Sequence, residues 1–149
     1  EIRLSLVGSE MCIRDRCVGA RSEGSRSLNR PINVLEKNAD KKKIWRSYVN
    51  NQLKSKYSKL FDQLDSLLYL KAKNFKLLKR WRLKQEKKLK MKSGTKKNSK
   101  IMNEKEVETF MMTYQRITQN MFKNAPKYSS AVIDLNENHQ IKKVKFKHA

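Results

Sequence analysis

One short apolar run constrains this chain more than any other feature. Ser66-Leu67-Leu68-Tyr69-Leu70 is bounded by charged residues, and a run of that length suits a strand buried on both faces, as found in parallel sheets. Such a strand needs amphipathic helices against it, and the flanking sequence carries them. Asp40 can cap a helix, and Trp45, Val49, Gln52, Leu53 and Leu60 recur at helical spacing. That spacing predicts a helix of about four to five turns running into the Leu60 to Leu64 region. Asn74 can cap a second helix through Lys92, which Gly94 and Thr95 in the Ser93 to Ser99 segment then break. Asn103 and Glu106 have the spacing of a capping box, and Val107, Phe110, Met111, Tyr114, Ile117, Met121 and Phe122 form one apolar face.

Pro126 is expected to close the third helix. A hairpin should follow, from Ala131–Leu135 through a polar turn at Asn136 to His139 and along a lysine-rich edge strand to Phe146. Ahead of the first helix, the stretch Cys17 to Asn38 has Gly19, Gly24, Pro31 and no period, and reads as a surface loop. The expected class is α/β: three helices, one buried strand, a C-terminal hairpin and an incomplete sheet.

Charge is conspicuous and less informative than it looks. Lys+Arg number 36 against 14 Asp+Glu, giving a formal net charge of +22, a surplus that would attract phosphate on a nucleotide, a nucleic acid or a membrane. All 26 lysines lie from Lys37 onward, with only four arginines in the same stretch. A chain rich in Lys, Asn and Ile is what AT-rich codons produce, so much of the charge reads as solvated faces. The four arginines Arg46, Arg80, Arg82 and Arg116 therefore say more than the lysines do. A basic nucleic-acid-binding protein is the alternative, with Trp45, Tyr48 and Trp81 as stacking groups. No helix-turn-helix, zinc or RNA-recognition motif supports it.

Cys12 and Cys17 are too few and too close for a disulfide framework or a zinc cluster. His139 and His148 are isolated and expected to face solvent, and Met111 and Met121 are expected in the core. No apolar run approaches the roughly 20 residues of a membrane span, and the beginning lacks the order of a signal peptide. The expected location is the cytoplasm.

The first sixteen residues, Glu1 to Arg16, have neither helical period nor alternation. The run Glu10-Met11-Cys12-Ile13-Arg14-Asp15 resembles the in-frame translation of a transposon adapter used for sequencing libraries. With three basic and three acidic groups, residues 1–16 carry none of the net charge. They are expected to be a non-native leader, with residues 17–149 carrying the fold.

The most specific chemical signal is Trp81-Arg82-Leu83-Lys84-Gln85-Glu86. At about 100° per residue, Arg82 and Gln85 fall within the apolar face of Phe75, Leu78 and Leu89. An arginine belongs there only with a partner. Either Arg82 pairs with Glu86 one turn later, or it points into a cleft and holds a phosphate with its planar fork. Geometry alone leaves both open.

From Cys17 onward the order and wording of the segments resemble the D-glycerate 3-kinase branch of the P-loop kinases, a group similar in design to pantothenate and uridine kinases. Cys17-Val18-Gly19-Ala20-Arg21 resembles the family's Cys-Val-Gly run after a Glu-Gly-Trp. Pro31 to Glu36, Trp45-Arg46 and Val49-Asn50 are similar to its next loop and helix, and Leu67 to Ala72 to its following strand. Trp81 to Glu86 resembles a Trp-Arg-x-x-Gln-Glu helix. Phe110, Tyr114, Arg116 and Thr118 resemble a Tyr-x-Arg-x-Thr helix of a bacterial subgroup, and Ala131 to His139 the closing strand.

The resemblance implies the C-terminal portion of a P-loop NTPase kinase fold and transfer of the γ-phosphoryl of ATP, with Mg2+, to a small hydroxy acid such as D-glycerate. The helix over residues 75–92 would be part of a lid. Arg82, then Arg80 and Arg116, are the implied phosphate-binding residues, and Cys17, Gly19 and Arg21 would border the acceptor. Arg116 lies opposite the apolar face of its helix and is expected in water or toward the nucleotide. No Gly-x-x-x-x-Gly-Lys-[Ser/Thr] occurs. No catalytic residue or metal ligand is assigned, and the chain is expected to be inactive alone and to hold neither ATP nor Mg2+ well.

Overall fold

The computed structural model describes residues 17–93 and 101–147, with the side chains of Lys92 and Ser93 excepted. The expected leader therefore lies outside the described residues, as do His148 and most of the Ser93 to Ser99 segment. Among the described residues the order is α1 (Val34–Ala39), α2 (Ile44–Lys54), α3 (Lys56–Phe61), β1 (Leu68–Lys71), α4 (Phe75–Ser93), α5 (Glu104–Tyr128), β2 (Ala131–Leu135) and β3 (Ile141–Phe146). A 3-10 turn at Ser27–Asn29 precedes them. The class is mixed α/β, with helices beside a small sheet.

The caps explain most of these boundaries. The Asn74 side chain accepts the Leu77 N–H at 2.9 Å, so α4 begins where the sequence places it. At α5 the capping box is complete, with Asn103 Oδ1 accepting from Glu106 N–H and the Glu106 carboxylate accepting from Asn103 N–H. Each such cap satisfies an orphan donor and is worth about 1 kcal/mol. Asp40 also caps as expected, but from a distance. Its carboxylate accepts from Trp45 and Arg46 N–H while Lys43 turns through a left-handed φ of 62°.

Four expectations about elements need correction. Residues 17–38 are not all loop, because Asn33 Oδ1 accepts from Glu36 N–H and opens α1. The helix expected from Asp40 to Leu64 breaks at Ser55, which together with α1 makes five α-helices among the described residues rather than three. At the break the hydroxyls of Ser55 and Ser58 donate back to the Asn51 and Lys54 carbonyls, the local competition that bends helices at serine. Pro126 does not close α5, which continues to Tyr128. There Ser129 stops it by capping the Ala125 carbonyl with both its N–H and its hydroxyl.

The fourth correction concerns β1, which is not buried on both faces. Strand order is β1-β2-β3, with β1 parallel to β2 through Leu68↔Ala131 and Leu70↔Ile133. β3 is antiparallel to β2, pairing Phe146 with Ala131 and Val144 with Ile133. Tyr69 and Val132 share the covered face, and Tyr69 packs on the cluster of Ala20, Leu53, Met121 and Ala125. Leu68 and Leu70 point the other way and are 62% and 52% exposed. β1 thus has a parallel neighbour but only one covered face. β3 is exposed throughout, as an edge strand should be.

A second apolar seam joins α4 to α5. Leu77, Val107 and Met111 are buried there, each contributing roughly 1.5–3 kcal/mol by leaving water. Met111 and Met121 are both core residues, as their places on the apolar face require.

Candidate functional site

Two regions collect the polar chemistry. The first lies where α5 meets the chain from Arg21 to Asn50. Residues 112, 115, 116 and 120 recur on one face of α5, and each holds that chain: Asn33 Nδ2 donates to the Met112 carbonyl and to Gln115, and Asn120 Nδ2 donates to the Arg21 carbonyl at 2.7 Å. Arg116 is the centre. Its Nε and Nη2 form a fork on Glu36 at 2.8 and 2.6 Å. Nη1 reaches Glu23 and the Ser27 carbonyl, and Nη2 also reaches the Arg30 carbonyl.

Of the two environments expected for Arg116, water is not what surrounds it. The side chain is 11% exposed, with Glu36 at 12% and Glu23 at 17%, so this arginine is not solvated. Burial pushes the Glu36 carboxyl up, but the Arg116 bond and charge and the Ile32 N–H outweigh it and hold the carboxyl below the usual range. The hydrogen bond to Glu36 in turn raises Arg116.

Arg46 does the same work on the other wall. Its Nε donates to the Leu28 carbonyl at 2.7 Å and Nη1 to the Asp40 carbonyl and carboxylate. Burial raises the Asp40 carboxyl, while the Trp45 and Arg46 N–H groups and the Arg46 charge together hold it low. Asn50 clamps Glu23 at two points, accepting its N–H at 2.7 Å and donating to its carbonyl at 3.1 Å. Between these walls is a cavity of about 230 Å³, apolar at Val49, Leu53 and Ile117 and bordered by Arg21, Arg46 and Arg116. Its charges largely cancel in pairs.

Of the residues expected beside an acceptor, Arg21 borders this cavity, and its guanidinium also lies 4.0 Å from the Tyr128 ring centre. Gly19 has φ +79°, and a Cβ there would stand 2.7 Å from Leu67 Cδ2. Ala20 is buried in the core, so Gly19 carries a tight turn that seats Ala20 under β1. The Cys17 carbonyl closes that turn by accepting the Ala20 N–H.

The second region is at the carboxyl ends of β1 and β2, the side of an open α/β sheet where ligands bind. Lys71 leads there into Asn74 and α4, and the β2–β3 turn folds over α4. The Trp81 ring stacks on His139 with centroids 4.0 Å apart, and its Nε1–H donates to the Glu137 carbonyl. His139 therefore has an aromatic partner although it is exposed. Arg80 pairs with the Glu137 carboxylate.

Arg82, two residues on from Arg80, faces α5. It pairs with Glu86 and Gln85, and its guanidinium lies 5.8 Å from the Phe110 ring centre. Glu86, 4% exposed, also accepts the Met102 N–H. Arg82 Nε is buried with no hydrogen-bond partner, a state that ordinarily costs about 1–3 kcal/mol. Arg80 and Arg82 thus share α4 but point apart, one to the hairpin turn and the other to α5, while the structure joins Arg21 with Arg116 at the cavity. It does not bring the two pairs to one place.

Sequence reasoning missed Glu23, Glu36, Asn50 and Asn120. The Asn33-x-x-Glu36 spacing is a cap signal that could have found Glu36; the others become visible only when distant segments meet.

No family model and no curated protein matches the chain. Its structure is similar to that of D-glycerate 3-kinase from Cryptococcus neoformans var. grubii serotype A, with a TM-score of 0.60 and 19% sequence identity. The two share a fold. The match covers 87% of this chain and 47% of that one, so the chain spans about half the length of the solved structure it matches. Among the described residues no helix is long and apolar enough to cross a membrane.

Proposed function

We propose that the chain is the carboxy-terminal part of an ATP-dependent kinase that phosphorylates D-glycerate or a similar small hydroxy acid. The observation that carries this reading is Arg82. It stands on the helix that follows the parallel strand β1, in a fold shared with a D-glycerate 3-kinase, and keeps a buried Nε–H unspent. A transferring phosphoryl group spreads charge over its equatorial oxygens, and a guanidinium with a donor left over is suited to stabilise it once α4 swings from α5 and exposes that N–H. Arg80 is a second phosphate ligand once it leaves Glu137, and Arg116 holds the loop that borders the cavity. Arg21, at that cavity, is the acceptor-side residue, with Cys17 and Gly19 shaping its turn.

Magnesium would come with ATP and screen its phosphates. Among the described residues no group of three or more His, Cys, Asp or Glu could hold a metal ion, and the sequence has no phosphate loop. In this reading both belong to residues ahead of Cys17, and Glu1 to Arg16 are a foreign leader in their place.

The test is the uninterrupted gene, read upstream across the Arg16/Cys17 junction and expressed as the longer protein. ADP release on addition of D-glycerate is expected, and Arg82→Ala should lower kcat by about 100-fold or more, the scale of a lost charge-stabilising donor. Arg82→Lys should restore part of it. Turnover of no hydroxy acid, pantothenate or nucleoside by the longer protein would defeat the kinase reading. Unchanged kinetics in Arg82→Ala would return that residue to a purely structural role.

A further inference from the structure

The two outer edges of the sheet are built differently. β3 carries Lys142, Lys143 and Lys145 among its six residues, the charged residues by which proteins keep an exposed edge from pairing. β1 is Leu68-Tyr69-Leu70-Lys71, with lysine only at its end. Among the described residues no strand pairs with its outer edge, so that row of backbone N–H and C=O groups has no ladder.

The face beside this edge is open around its rim, with the small Ala131 buried at its centre and Ile133 half-buried. Leu68, Leu70, Val144 and Phe146 lie on one side of the sheet, as the pairings Leu68↔Ala131↔Phe146 and Leu70↔Ile133↔Val144 require. They are 62%, 52%, 40% and 71% exposed. Scattered surface leucines need no explanation, but an apolar patch continuous with an unguarded edge does. A parallel strand is ordinarily covered on both faces, and a sheet with one antiparallel strand at one edge usually continues parallel at the other.

We infer that the outer edge of β1 and the face of Leu68, Leu70 and Phe146 are a docking surface for a β-strand parallel to β1, followed by a helix laid across the face. Two observations select that occupant. The parallel β1–β2 pairing sets the strand direction, and the apolar face requires an amphipathic cover. The matched structure is also about twice as long as the matched segment, at 47% coverage. That this strand and helix belong to the phosphate-loop part of a kinase rests on the reading under Proposed function; the edge and face do not.

The test compares this chain with its upstream-extended gene product by hydrogen exchange and thermal melting. In this chain the β1 amides on the outer edge should exchange fast, and Leu68→Lys with Leu70→Lys should leave the melting temperature unchanged. In the extended product the same amides should be protected, and the double substitution should lower the melting temperature and the soluble yield. A second pair, Val34→Lys and Ile44→Lys, at exposed positions away from the sheet, should be silent in both.

Fast exchange at β1 in the extended product overturns the inference. So does a concentration-dependent dimer of this chain that protects β1, which would make a second copy the occupant, or a gene that runs through Glu1–Arg16 without a strand and helix ahead of them. Protection without phosphoryl transfer would leave the docking surface standing and remove the kinase reading. Phosphoryl transfer without protection would do the reverse.

Discussion

Arg116→Ala should remove the pin that holds residues 21–38 on α5. The wild-type side chain makes five hydrogen bonds, three of them to carboxylates, and a bond to a charged group is worth about 1.5–3 kcal/mol when lost singly. Such terms are not additive. Breaking a fully buried ion pair costs about 3–5 kcal/mol. Here Glu36 and Glu23 keep some contact with water, at 12% and 17% exposure, so the expected cost is about 2–4 kcal/mol, below the fully buried case.

Urea unfolding of both proteins at neutral pH measures it, and hydrogen exchange locates it, with amides of α1 losing protection while the β2–β3 hairpin keeps its own. Arg116→Ala with Glu36→Gln completes a double-mutant cycle in which a coupling of about 1 kcal/mol or more is expected for a direct pair.

The pH dependence has a definite sign. The Glu36 carboxyl is held below its ordinary value in the folded chain, so its contribution is fully present above the unfolded pKa and is lost as pH falls through the folded one. Stability of the wild type should therefore drop on acidification more than that of Arg116→Ala. A cost under about 0.5 kcal/mol, the range of ordinary surface substitutions, or zero coupling to Glu36, would show that Arg116 is a surface group and refute the reasoning.

Gly19→Ala should destabilise by about 1–2 kcal/mol, the left-handed penalty for an L residue, because φ is +79° there and the new Cβ presses on Leu67; thermal melting checks it, and an unchanged or raised midpoint would show that the turn is relaxed. Tyr69 should titrate late, since burial and then the neighbouring Tyr128 push its hydroxyl up to about 12. Because that folded value lies above the unfolded one, the stability it contributes is present below about pH 10 and disappears as pH rises toward 12. Ultraviolet titration of the wild type against Tyr69→Phe resolves the step, and a tyrosinate forming at its ordinary pH would contradict the burial.

Local patterns carried much of the architecture. Asn74 and the Asn103/Glu106 pair act through groups three residues apart, so their caps are legible in the chain, and the α5 face of Val107, Met111, Ile117 and Met121 follows from 3.6-residue periodicity. The hairpin strands likewise lie where their turn residues place them. Arg82 was legible as an arginine on the apolar side of its helix, and its pairing with Glu86 one turn later is a local event.

Tertiary structure alone decided the rest, because the deciding partners are far apart in the chain. Arg116 meets Glu36 and Glu23 across 80 and 93 residues, and no periodicity on α5 announces a carboxylate waiting in a loop. His139 finds Trp81 only when the hairpin turn folds over α4. An apolar pentapeptide specifies a strand, but whether both its faces are covered depends on which other layers arrive. At β1 one layer covers Tyr69, while Leu68 and Leu70 stay in water.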